Sequence, residues 1–362
     1  MEQNQLKTRY AHIDLLECIA IFFVVLYHCS FYNFNFFEKA SIINYFIYFF
    51  RCILSSCVPL FFFVNGYLLL NRPFVLKKHL LKMIRLVILT IVWSIILVLV
   101  SIPIRQERFS IKQIILLIVD METPWTNILW FLCALFCIYI FFPLLKATFD
   151  NQKNAFAFFT IICAVLSLGI SFGRELLSLF SIWVDLGRLN PFDTDLFNSF
   201  NPFKGMYSFS LFYFCFGGLF FKIQERILSI NRKKRNVCAV LCLLISMCLL
   251  FFTGVFFSCS TNLIWNVVWE GYDTIFTLGI VISIFTLCLN YNKDNRFIET
   301  VSINTLGIYL VHILFIRTIE QMPFSSLLRE IPLDIVVAVI VFLLSFTIVV
   351  IIKKIPIINK II

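Results

Sequence analysis

Charge is what this chain has least of. Only 14% of its 362 residues are Asp, Glu, Lys or Arg, where soluble domains carry about 25%. That scarcity excludes an ordinary soluble enzyme. A metal-binding pattern is also missing. Thirteen cysteines are scattered along the chain, and the pairs Cys133/Cys137 and Cys238/Cys242 sit at helical i, i+4 spacing without histidine partners. Such cysteines behave as small apolar residues, so neither a metal site nor a disulfide framework is expected. The polar start MEQNQLKTRYA leads straight into a long apolar run rather than a short run with a small-residue cleavage site, so no signal peptide is expected. Internal repeats and low-complexity linkers are absent, and the expected organisation is one domain over 1–362.

What the chain does have is hydrophobic length. Apolar residues make up 61%, 45 of them phenylalanine, and the mean hydropathy is +0.95. A helix needs about 20 apolar residues to span a bilayer. The chain therefore reads as an all-α integral membrane protein, a multi-pass bundle of about ten transmembrane helices. The spans fall near 12–32, 44–70, 80–101, 128–146, 154–172, 205–222, 236–254, 263–290, 303–320 and 333–352. With that count and both termini in the cytoplasm, 20 of the 30 Lys and Arg residues fall on the cytoplasmic side, the 231–235 run NRKKR included. Anionic lipid accounts for the formal charge of +10 without a nucleic-acid partner. Two segments on the other side, 102–127 and 173–204, are long enough to hold a ligand. The second mixes Trp183, Phe192, Phe197 and Phe200 with Asp185, Arg188, Asn190, Asp193 and Asp195, which suits a sugar ring or, equally, an interfacial helix with a structured loop.

Against this background His28 stands out. It follows IAIFFVVLY in the first span, where an ionisable group is costly and usually faces a bundle interior or a water-filled cavity. Imidazole titrates near neutral pH, which suits general-base work; a structural histidine bonded to a neighbouring helix is the bland alternative. Asp14 and Glu17 share a face nearer the inner end of the same helix. Lys78, Lys82 and Arg85 form a basic stripe at the inner end of the third span. That stripe can hold phosphates, or it can be ordinary positive-inside charge. Asn65-Gly66 interrupts an apolar run, Trp130 opens the fourth span, and His312 follows Tyr309 by one turn. Glu270 and Asp273, at i, i+3, are placed to orient an imidazole base if their span begins before them; otherwise they belong to an outer loop.

HIDLLECIAIFFVVLYH, VPLFFFVNGYLL, KKHLLKMIR, NILWFL and NTLGIYLVH occur here in that order. Together they resemble the acyltransferase-3 family of integral membrane acyltransferases, over essentially the whole chain. The resemblance implies an O-acyltransferase of the cell membrane. Its donor would be acyl-CoA, most often acetyl-CoA, with no permanently bound cofactor. Its acceptor would be a hydroxyl of a surface polysaccharide, lipid-linked glycan or cell-envelope polymer. It also implies that His28 is catalytic, as a base or as a transient acyl carrier, and that Lys78, Lys82 and Arg85 bind the donor. Asn65, Trp130, Glu270, Asp273 and Tyr309 remain candidate substrate-binding residues. Two departures stand out: Glu17 occupies a position where the family usually has arginine, and Asn65-Gly66-Tyr67 replaces the usual Ser-Gly-Tyr. The competing class is a polysaccharide or lipid-linked-sugar exporter with a histidine proton relay. Such folds often show paired broken helices and internal symmetry, neither of which is clear in the sequence.

Overall fold

The computed structural model describes residues 9–29, 42–105, 109–121, 123–183, 201–203, 207–322 and 333–355. Residues 185–200, with the expected aromatic and acidic mixture, lie outside them. The described chain is all helical. It runs α1 (Ala11–Cys29), α2 (Ile42–Arg51), a 3₁₀ turn, α3 (Cys57–Leu70), α4 (Leu76–Arg105), α5 (Ile111–Asp120), α6 (Trp130–Asn151), α7 (Lys153–Ala164), a π turn, α8 (Ile170–Trp183), α9 (Ser208–Ser229), α10 (Arg232–Thr261), α11 (Ile275–Cys288), α12 (Arg296–Ile303), α13 (Thr305–Glu320) and α14 (Leu333–Ile352).

Among the described residues seven helical runs are long and apolar enough to cross a membrane, with α2 and α3 acting as one and α7 and α8 as another. The pair α12–α13, bent by 76°, makes an eighth if it is a single span. The remaining two of the ten expected segments fail on length or charge. The last two turns of α9 carry Lys222, Glu225 and Arg226, and α11 has 14 residues, about 21 Å of helix against a hydrocarbon core of about 30 Å. Expected span 263–290 is corrected accordingly. Residues 263–274 are not helical, and within them the Asn266 side chain accepts from Val268 N and Trp269 N and holds a turn. Helix α11 starts only where Thr274 caps Thr277 N at 3.2 Å.

Two features set the core. The helices α3 and α9 meet backbone to backbone. A Cβ on Gly66 would stand 1.7 Å from the Phe214 carbonyl oxygen, and one on Gly217 would stand 2.0 Å from that of Phe63. Small residues that let helices close in this way are a hallmark of packing inside membranes, where lipid is as apolar as leucine and only close contact holds helices together. The Asn-Gly interruption in α3 is thus a packing device at its glycine. The second feature is the break at Asn304, whose side chain donates to Thr300 O at 2.6 Å and closes the end of α12. The chain turns there, and α13 carries Tyr309 and His312 into the centre of the bundle, 5% and 0% exposed.

Candidate active site

Helix α1 carries ionisable groups at two depths. Glu17 and His28 are eleven residues apart, about 16 Å along the axis, and each lines a different cavity. The one beside His28 holds about 340 Å³ and is walled by α1, the start of α3, the 127–130 corner, Tyr207 and the 266–272 loop. The one beside Glu17 holds about 300 Å³ and is walled by α3, α4, α6 and α13, with Lys82, Arg85 and Asn65 among its lining. Tyr309 lines both. Its ring lies 5.3 Å from Phe131, and its hydroxyl donates to the Ile128 carbonyl. A single aromatic layer therefore stands between the imidazole cavity and the basic cavity.

The His28 cavity is aromatic, with amides and one acid. Trp130 packs against Tyr207 at 4.6 Å and Trp269 at 5.2 Å between ring centres. Asn266 donates to the Tyr27 hydroxyl at 2.9 Å, and the Tyr272 hydroxyl lies 3.5 Å from the Cys57 sulfur. Among the described residues, Glu270 supplies the only acidic side chain of the lining, which includes no Lys or Arg. Aromatic faces flanked by amides and a carboxylate can hold a polyhydroxylated ring.

The other cavity is basic. Lys82 and Arg85 are one turn apart on α4, and the Lys82 ammonium sits 4.6 Å above the Tyr139 ring. Glu17 faces them, fixed by the Ser302 hydroxyl at 2.6 Å. The same Ser302 oxygen lies 2.7 Å from Asp14, which Arg9 pairs at 2.7 Å. Glu17 is thus held by an α1–α12 network, and the carboxylate that stands where arginine was expected has its own support.

The expected site residues divide between these cavities. His28, Trp130 and Glu270 come together in one; Asn65, Lys82 and Arg85 come together in the other; Tyr309 belongs to both. Two fall outside. Lys78 is exposed in the first turn of α4, about 6 Å along the axis before Lys82, and does not line the basic cavity. Asp273 turns away from His28: Ser171 donates to it at 3.2 Å and Arg174 pairs with it at 3.5 Å. Burial pushes its carboxyl above the usual range, and Arg174 and Ser171 pull it back. Of the expected pair, Glu270 lines the His28 cavity and Asp273 does not.

Sequence reasoning missed Tyr207, Trp269, Tyr139 and the nearness of His312 to His28, whose rings are 5.3 Å apart. Trp269 carried a signal, being next to Glu270 in the WEGYD segment. Tyr207 carried none; it takes a left-handed backbone, φ 49°, just before α9. A family model described as an acyltransferase domain matches residues 10–354. No curated protein matches the chain, and no solved structure does.

Proposed function

The chain belongs to the acyltransferase-3 family, and from that premise we propose that it moves an acyl group, most simply acetyl, from acyl-CoA in the basic cavity to a hydroxyl of a surface glycan in the His28 cavity. The observation that carries this is Tyr309, which among the described residues is the one that lines both cavities. An anion site and a base site separated by one ring suit a reaction whose two substrates arrive separately. In this reading Lys82 and Arg85 hold the donor phosphates by charge-assisted bonds, and the thioester end reaches past Tyr309. His28 takes the hydroxyl proton, or carries the acyl group for part of the cycle. The aromatic wall of Trp130, Trp269 and Tyr272, with Asn266 and Glu270, supports a sugar acceptor.

The same reading makes the chain one domain of ten spans, with α9 and α11 also crossing and both termini in the cytoplasm. The distribution of 20 of 30 basic residues supports that orientation. A topology reporter at Lys233 should read cytoplasmic; a reporter there on the far side of the membrane overturns it.

The central test uses purified protein in nanodiscs with labelled acetyl-CoA. Thiol release and labelled product should fall about 10²–10⁴-fold in His28→Gln, which stays monodisperse. Near-normal transfer by that variant would return His28 to a structural role.

A further inference from the structure

The buried imidazole His312 has no place in the chemistry so far. It is 0% exposed and sits one turn past Tyr309 on α13. Its Nδ1 lies 3.2 Å from the Ile308 carbonyl oxygen. A carbonyl only accepts, so Nδ1 carries the hydrogen. A doubly protonated ring buried there without a counter-ion would cost far more than a neutral one, so Nε2 is left as a bare lone pair. That Nε2 is buried and finds no hydrogen-bond partner among the described residues. Buried polar atoms are rarely left so, and each exception asks for an explanation. The His28 ring is 5.3 Å away, tilted by 48°, a separation that a small rotation of either ring closes to a nitrogen–nitrogen hydrogen bond. The other cation nearby, Arg317, is matched by Glu320 at 2.7 Å.

Resting on acyl transfer at His28, we infer that His312 is the positioning residue that receives His28 when it is protonated, its fixed Nε2 lone pair accepting from the His28 ring in a bridge that strengthens when the charge appears. The cycle balances without another reagent. The acceptor O–H gives its proton to His28, and the oxygen bonds the thioester carbonyl carbon. His28 is then cationic, and its other ring N–H, made a stronger donor by the charge, donates to His312 Nε2. The C–S bond breaks, and the thiolate takes the proton back from His28. An interaction stronger in the charged intermediate than in the ground state lowers the barrier, and the Ile308 bond holds the acceptor nitrogen in place beforehand.

The test compares two amides. His312→Asn keeps an N–H for the Ile308 carbonyl but loses the Nε2 position; His312→Gln places an acceptor oxygen near Nε2. In acetyl-CoA turnover by the nanodisc protein, His312→Asn should lose about 10- to 100-fold in kcat, with KM for acetyl-CoA unchanged. His312→Gln should recover part of the loss. A packing role predicts the reverse order, since Asn retains the resting-state bond. Turnover across H₂O–D₂O mixtures should curve in the wild type, as two moving protons require, and become linear in His312→Asn. If Asn does not insert, His312→Leu takes its place with the same expectation. Should His312→Asn keep wild-type kcat and curvature while His28→Gln is inactive, His312 is packing and the acyl-transfer reading stands. A wild type that never turns over acetyl-CoA sinks both.

Discussion

Removing the ring of Tyr309 should uncouple the reaction. The ring borders the His28 cavity on one side and the basic cavity on the other, so Tyr309→Ala joins two spaces of about 340 and 300 Å³. Truncating an aromatic in a fully packed core costs about 3–5 kcal/mol. Here two faces already border open space, so the loss should fall below that range and the variant should still insert. The functional consequence is larger, because water from the His28 cavity then reaches the thioester of the proposed donor, and excluding water is what protects a reactive acyl donor. Thiol release from acetyl-CoA without acceptor should rise about tenfold relative to transfer. Tyr309→Phe keeps the partition and drops only the bond to the Ile128 carbonyl, worth about 1 kcal/mol. If displacing the ring limits turnover, that is a gain of up to ~5-fold in kcat, with no added hydrolysis. The assay is thiol release against labelled product, with and without acceptor. Unchanged hydrolysis in Tyr309→Ala, with transfer intact, would refute the idea that this ring divides the two cavities.

Lys82→Ala and Arg85→Ala should each raise the Kd for acetyl-CoA by about tenfold, while Lys78→Ala, outside the cavity, should leave it unchanged; calorimetric binding that is the same in the double variant refutes the donor assignment. At the 171–174 contact, Arg174→Met leaves a half-buried Asp273 without its cation. Because burial already raises the Asp273 carboxyl and Arg174 opposes that rise, the lost stability should be greatest at pH 8. It should fade as the pH falls through the raised value towards the ordinary carboxylate range, where Asp273 takes a proton. Thermal melts showing a larger loss at pH 5 than at pH 8 would contradict the pairing.

Long apolar runs are legible because each is decided within its own 20 residues; α1, α4, α6, α10 and α14 follow from that alone. The 263–290 stretch did not, because Asn266 and Thr274 shape its first twelve residues through side-chain bonds that mean hydropathy ignores. Nor did the 76° bend at Asn304, although an Asn-Thr pair is a fair helix breaker. In the site, His28 announced itself by its cost in an apolar helix, and Lys82 and Arg85 by their spacing. The sorting of Asn65 from Trp130, the turning of Asp273 to Arg174 and the approach of His312 to His28 depend on which helices meet, and no local period encodes that. Glu17 was legible as an anomaly, but its support by Ser302, 285 residues away, was not.

The glycine contact between α3 and α9 has a mechanical consequence. With Gly66 against one carbonyl and Gly217 against another, a shift of one residue along either axis would drive a side chain into backbone. The two helices cannot slide, and together they form the fixed jaw of the protein. If an acyl chain passes Tyr309 as proposed, the room for it must come from the opposing elbow at Asn304, where the chain bends by 76° and a swing of α13 would move Tyr309 and His312 together.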